Sequence, residues 1–291
     1  MASLKEVKER IASVNGTLKI TSAMKMVASA KLHKAQELIE GMWPYEQRLS
    51  RMLEEFLDAY PEMDSQLTAE RPVKRVALVV FASNGSLCGG YNANVVRRFR
   101  EWVEQNQILG KENLVIYPIG KKIEEAVRKS GFTPAETFGR LADKPDREVI
   151  AQLADRLTKS FLDGDVDRVD LLFHHFKSTA TQNLVLGTYL PVDLSQVRQK
   201  EVSSTDYVLN YIVEPSPNAF LRTLLPTVLR LKLYTALLDS NASEHAARTM
   251  AMQVATDNAN DLLQDLTIMY NKSRQQVITN ELLDMAGGSM D

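Results

Sequence analysis

The run Asn84-Gly85-Ser86-Leu87-Cys88-Gly89-Gly90 is the first place to look for chemistry, because it follows a valine-rich strand signal and opens a helical one. A dinucleotide or phosphate would bind at such a turn, against the amides of a helix N-terminus. Its spacing is not G-x-G-x-x-G, however, and no acidic residue ends the next strand signal. Nor does the chain contain a G-x-x-x-x-G-K-[ST] phosphate loop. A tight strand-to-helix turn accounts for the same residues. Cys88 lies near that helix start, where a thiolate is favoured, yet no histidine accompanies it, and a small packed thiol is the simpler reading. His174 and His175 are adjacent on a strand signal, so they face opposite sides and do not jointly chelate a metal. His33 and His245 stand alone on long helical stretches. These residues predict no catalytic site, no cofactor and no metal.

The elements that position these residues form two classes. Most of the 13 glycines fall between Gly85 and Gly187, where the apolar runs are short. Arg75–Ala82, Leu114–Ile119, Asp170–Phe176 and Asn183–Leu190 are Val/Ile/Leu-rich runs of strand length. Helical patterns Asn92–Gln107, Lys121–Ser130 and Asp146–Leu162 alternate with them. That alternation predicts a parallel or mixed sheet covered on both faces. The stretch Pro191–Asn210 is polar and reads as a loop or edge, with no fold legible at 196–210.

The two ends of the chain are helical instead. Ser3 and Glu6 form an S-x-x-E capping box, followed by Leu4, Val7, Ile11, Val14 and Leu18 at steps of three and four. The seam then drifts through Met24 and Val27 and returns as Leu38, Met42, Tyr45, Leu49, Met52 and Phe56. Pro44 predicts a bend and Pro61 a stop. At the other end Ser216-Pro217 reads as an N-cap with proline at the first helical position. From there to Ala286 the only helix breaker is Pro226. A helix over Pro217–Ala286 is roughly 105 Å long at 1.5 Å per residue, too long to hide inside one globule. The predicted fold class is therefore α/β, with a long antiparallel coiled coil of the N- and C-terminal helices and an inserted Rossmann-like α/β domain. The expected domains are 1–60, 73–210 and 216–291, the last overhanging the first by roughly 20 Å.

Charge narrows the partner classes. The net charge of −2 gives no global attraction to nucleic acid or an anionic membrane. A single cysteine excludes an internal disulfide and fits a reducing compartment. The charged, amphipathic N-terminus is no secretory signal, and no run of about 18 apolar residues is present to span a membrane. Locally, residues Arg10 to Gln36 carry Arg10, Lys19, Lys25, Lys31 and Lys34 without one aspartate or glutamate. One reading is a solvated helix face; the other is a basic collar for an acidic protein surface. Ser243–Asn260 replaces bulky seam residues with small ones and methionines, which keeps a rod thin and its packing adaptable. The end, Met285-Ala286-Gly287-Gly288-Ser289, is small and uncharged.

Ile11–Gln36, the turn Leu87-Cys88-Gly89-Gly90-Tyr91-Asn92, Ser243–Ala259 and Tyr270–Asp284 (YNKSRQQVITNELLD) together resemble the gamma subunit, the central stalk, of the F-type rotary ATP synthase. The similarity spans essentially the whole chain. Two positions depart from the family pattern: Ser83-Asn84-Gly85-Ser86 replaces S-D-x-G, and Gly16 stands where asparagine is usual. The paired cysteines of the chloroplast relatives are absent. The resemblance implies a non-catalytic rotor shaft that turns inside a hexamer of α and β subunits. On it, Met24 and Lys25 meet the acidic lever of β, and Arg274 and Gln275 hydrogen-bond a β loop. Met285, Ala286, Gly287 and Gly288 form a tip turning in an apolar bearing. It also implies epsilon and the membrane c-ring as partners of the α/β domain, no nucleic acid and no direct membrane insertion. The implied location is the cytoplasmic face of a bacterial inner membrane, preferred to an organellar one. A coiled-coil adaptor with one fixed partner and an α/β enzyme with helical arms are the rival readings.

Overall fold

The computed structural model describes residues 3–60, 65–192 and 213–287. Helix α1 (Leu4–Ala59) starts where Ser3 Oγ accepts the Glu6 amide at 3.3 Å and continues through Pro44. Helix α6 (Pro217–Gly287) starts where Ser216 Oγ accepts the Ala219 amide at 3.3 Å and continues through Pro226. Between them lie β1 (Val76–Phe81), α2 (Tyr91–Gln105), β2 (Leu114–Ile119), α3 (Lys121–Lys129), α4 (Gly139–Asp143), α5 (Arg147–Leu162), β3 (Arg168–Phe176) and β4 (Gln182–Leu190). The segment 193–212, which includes the unread stretch 196–210, is outside the described residues.

The chain separates into two units. The first comprises Met1–Ala30 and Arg248–Asp291, the second Lys31–Ala247. The second holds a mixed four-stranded sheet in the order β2-β1-β3-β4. Strand β1 is parallel to β2 and β3, and β4 is antiparallel to β3. Every residue of β1 is buried, as a central strand covered on both faces requires. Val76, Leu78 and Val80 pack beneath α2 and α3 with Phe99, Trp102 and Ile123. Ala77, Val79 and Phe81 face the other way, into a core with Leu153 and Phe161 of α5, Leu53 and Phe56 of α1, and Leu225 and Leu233 of α6. Within this unit α1 and α6 are antiparallel. Leu32 and Ala35 pack on Ala242 and Ala246, and the Phe56 ring lies 5.0 Å from that of Phe220.

The α1 seam differs from the expected one. Leu4, Val7, Ile11, Val14, Leu18, Thr21, Lys25, Ala28, Leu32, Ala35, Ile39 and Met42 are buried or half-buried at unbroken steps of three and four, and the rhythm continues to Phe56. Val27, Leu38 and Tyr45 lie off it and are exposed. The seam does not drift at all. Thr21, Lys25, Ala28 and Ala35 keep its register, and residues of those types carry little or no apolar signal.

Candidate functional site

The glycine turn between β1 and α2 spends its polar groups on itself. Asn92, in the first turn of α2, donates from Nδ2 to Ser83 Oγ (2.7 Å), the Gly85 carbonyl (3.1 Å) and Cys88 Sγ (3.2 Å). Its Oδ1 accepts the Ser83 amide at 3.1 Å. Leu87 and Gly89 adopt positive φ of 66° and 57°, which folds the loop back over Asn92. Cys88 is a buried member of this knot. Asn84 donates to the Gly139 carbonyl and to Asp143 Oδ2 at 2.6 and 2.7 Å and accepts the Lys121 amide at 2.9 Å. An amide suits this place because it donates and accepts at once, whereas a carboxylate would oppose Asp143. Opposite, Gly120 has φ +109°, and a Cβ there would lie 2.0 Å from the Ala82 carbonyl oxygen.

The histidines are separate, as their alternation on β3 demands. His174 is 3% exposed and stacks on Tyr91 with ring centroids 4.3 Å apart. Burial lowers its pKa from 6.5 to about 4, so the ring is neutral. His175 faces the other side and sets Nδ1 2.6 Å from Asp239 Oδ2. Among the described residues no group of three or more His, Cys, Asp or Glu side chains is arranged to hold a metal ion.

Sequence reasoning missed that Asp239, Ser240, Asn241, Ser243, Glu244 and His245 form a buried polar stretch of α6. Tyr91 Oη donates to the Ser240 carbonyl at 3.0 Å, and Asn241 Nδ2 to the Ala142 carbonyl at 2.8 Å. The available signal was a dense polar run inside an otherwise apolar helix.

Among the described residues the first unit is built from two helical segments. Its buried residues recur every seven: Val7, Thr21 and Ala28 on α1, with Val14 half-buried between them, and Met252, Ala259 and Leu266 on α6. With Leu4, Ile11, Leu18 and Lys25 half-buried beside them, this is a coiled-coil seam in which only one position per heptad is buried. The Thr21 and Thr256 hydroxyls meet across it at 3.1 Å. Ser273, the last half-buried position of α6 among the described residues, is as far from Thr256 as Leu4 is from Thr21. That symmetry is the pattern of an antiparallel pair. Beyond it α6 continues for about 14 residues, roughly 21 Å, with nothing from α1 beside it.

Met24 and Lys25 are half-buried on α1, next to the Thr21–Thr256 contact. Lys25 keeps the three-and-four step of the seam. Arg274 and Gln275 are exposed at the start of the free segment. Along the helix axis the two pairs are separated by roughly 30 Å, so they form two belts and not one site. Among the described residues no ion pair is made by Lys19, Lys25 or Arg274. Met285 is 66% exposed, and the helix backbone continues through Ala286 and Gly287, while Gly288 lies outside the described residues.

The exposed apolar residues extend well beyond that expected tip. Val277, Ile278, Leu282 and Leu283 are exposed on the free segment, Ile268 and Met269 just before it, and Ile20, Met26 and Val27 on α1. Scattered apolar residues are ordinary on a surface, but a contiguous set on a bare helix marks a contact surface. The bare segment is the overhang of roughly 20 Å that the unequal helix lengths predict.

A family profile described as ATP synthase matches residues 3–290. The ATP synthase gamma chain of Phocaeicola vulgatus is 60% identical over 290 residues, covering 100% of both chains. That of Bacteroides fragilis is 58% identical over 290 residues, again covering 100% of both. Among solved structures, a chain of the Euglena gracilis mitochondrial ATP synthase superposes with a TM-score of 0.65 at 18% identity, covering 99% of this chain and 93% of that one. A chain from the Tetrahymena thermophila mitochondrial ATP synthase central stalk and c-ring gives 0.58 at 22% identity, covering 81% and 99%.

Proposed function

This chain belongs to the ATP synthase gamma-chain family, the non-catalytic central stalk of the F-type enzyme, and we propose that its first unit is the part that turns against catalytic neighbours. In this reading the chain couples ion-driven rotation of a membrane c-ring to ATP synthesis or hydrolysis in a hexamer of α and β subunits. Residues 1–60 and 216–291 form the axle. Residues 73–210 bind epsilon and the c-ring.

One observation carries this reading most: the free end of α6. Its exposed Val277, Ile278, Leu282, Leu283 and Met285 have no cover from α1. A ring of surrounding subunits supplies cover without fixing the helix, since apolar contact is non-directional. An axle with two unlike belts presents a different face to each β subunit as it turns. Each face favours one of that subunit's conformations by its differential contact. Lys25, with Met24 beside it, meets an acidic surface of β. Arg274 and Gln275 donate hydrogen bonds to a β loop, the arginine with charge assistance. Met285, Ala286, Gly287 and Gly288 turn in the apolar bearing. The assembly sits on the cytoplasmic face of a bacterial inner membrane, in keeping with bacterial relatives and with the finding that no described helix is long and apolar enough to cross one.

Arg274→Ala combined with Gln275→Ala tests it. Both side chains are exposed and without an intrachain role, so the subunit should fold and assemble normally while ATP synthesis falls several-fold. Wild-type synthesis by the assembled double variant would refute the assignment of these residues.

A further inference from the structure

One stretch of α6 is enclosed on every side. Arg222, Thr223, Arg230 and Lys232 are exposed along its first turns, but Ala236–Ala246 is buried without a break. That is about three turns of helix, so no face of it meets water. Such enclosure ordinarily goes with an apolar helix, yet Asp239, Ser240, Asn241, Ser243, Glu244 and His245 are among the enclosed residues.

The enclosing groups come from four other elements. Tyr91 of α2 donates from Oη to the Ser240 carbonyl at 3.0 Å, and Asn241 Nδ2 donates to the Ala142 carbonyl of α4 at 2.8 Å. On β3 the His174 carbonyl accepts from Ser243 Oγ at 3.3 Å, and His175 Nδ1 meets Asp239 Oδ2 at 2.6 Å. Leu32 and Ala35 of α1 close another side over Ala242 and Ala246. Strand β1 has β2 on one side and β3 on the other, and the crevice beyond the carboxyl ends of such strands is where doubly wound sheets bind small ligands. Here a cavity of ≈ 10 Å³ is left between Phe81, Ala82 and Ile119 and the α6 residues Ser240, Asn241 and Glu244, room for no more than one water. The crevice is filled by α6 itself.

Filling it with hydrogen bonds fixes the helix against rotation about its own axis. Apolar contacts are non-directional and slide at little cost, whereas hydrogen bonds weaken steeply off line. Asp239, Ser240 and Asn241 are spaced about 100° apart around the helix, so any turn strains bonds on more than one side. A turn of about 20° displaces atoms ~5 Å from the axis by ~1.7 Å, enough to break each bond. We propose that this socket is the joint through which the α/β domain turns the axle, with Tyr91, Asp239, Asn241 and Ser243 as the residues that carry the load. The inference rests on the shaft reading above and adds to it the place where rotation enters α6.

The stiffness of the joint is measured with the α/β hexamer fixed to a surface and a bead on Ile108→Cys in a Cys88→Ser background. Residue 108 is 94% exposed on the α/β domain, and the angular variance of the bead between ATP-driven steps reports how firmly that domain holds the axle. Tyr91→Phe, Asn241→Leu and Ser243→Ala together remove three bonds while keeping buried side chains in place, and the variance should rise about twofold. Leu237→Ala, at a residue 1% exposed in the same turns, removes packing and no side-chain hydrogen bond, and should leave the variance near wild type. Equal variance in the triple variant and wild type, or an equal rise with Leu237→Ala, overturns the socket while leaving the shaft intact. If the triple variant does not assemble, Tyr91→Phe decides alone, because it keeps the ring on His174 and loses one bond. The variance must then rise by about a third, and an unchanged value rejects the joint. A wild-type bead that never steps while ATP is hydrolysed overturns the shaft reading itself, and the joint with it.

Discussion

The two units spend their apolar residues in opposite ways. The Lys31–Ala247 unit seals Trp102, Phe81, Phe99, Leu57 and Ile150 almost completely from water. Among the described residues the unit made of Met1–Ala30 and Arg248–Asp291 buries one small or medium side chain per two turns of helix and leaves Ile20, Met26, Ile268 and Leu283 more than half exposed. A seam with one buried position per heptad leaves most of both helices uncovered. The first pattern belongs to a body that is stable by itself, the second to a surface completed by other molecules. Substitutions in one should therefore register as lost stability, and in the other as lost coupling.

The sharpest expected effect is in the sheet unit. Gly120→Ala drives a Cβ into the Ala82 carbonyl at a φ that side chains rarely adopt, so it should cost more than about 4 kcal/mol, enough to leave little folded chain. A urea midpoint close to wild type would show that the turn beside Asn84 gives way easily. Next comes acid lability. His174 is held near a pKa of 4 against an ordinary 6.5 by burial, so between those values the unfolded chain binds the extra proton. Its contribution is therefore complete above about pH 6.5 and falls by about 3 kcal/mol as pH drops through 4. His174→Phe keeps a ring against Tyr91 and should flatten that part of the stability profile; an unchanged profile would place the acid sensitivity elsewhere.

The helical unit should answer differently. Lys25→Glu reverses a charge at the half-buried collar, and its damage to coupled turnover should shrink as salt is raised from about 0.05 to 0.5 M, since screening weakens exposed charge contacts. Damage independent of salt would shift the contact to packing at Met24. Smallest in stability terms is Leu282→Ser with Leu283→Ser. Both side chains are exposed, so the isolated chain should change by less than about 0.5 kcal/mol while coupled activity drops. A large loss in the isolated chain would contradict the division between the units.

Much of this architecture is legible from local pattern. Leu114–Ile119 is β2 with the same bounds, Lys121–Ser130 differs from α3 by one residue, and Ser216-Pro217 marks the start of α6. Strands and amphipathic helices carry their period within a few residues, so neighbours in sequence suffice. What escaped depends on residues far apart. The seam at Thr21, Lys25 and Ala28 is recognised only once Thr256 is seen across from it. Asp170 reads as a polar residue inside a strand, yet it is buried because Trp102 Nε1 and Arg168 satisfy it. The polar stretch Asp239–His245 is buried against Tyr91, Ala142 and His174, which are brought to it from 69 to 149 residues away. The candidate contacts at Met24, Lys25, Arg274 and Gln275 came from family resemblance. Position adds to them one physical fact, that they sit in two belts along a largely bare helix pair.

The shaft reading is tested most directly by watching the chain turn. With the α/β hexamer fixed to a surface and a bead attached through a cysteine placed on the α/β domain of this subunit, in a Cys88→Ser background, ATP should drive stepwise rotation in one direction. Arg274→Ala with Gln275→Ala should lower the torque without stopping ATP binding. Sustained ATP hydrolysis by the assembled hexamer while the bead stays still would contradict the account, because the contacts on its bare helices would then be those of a fixed post.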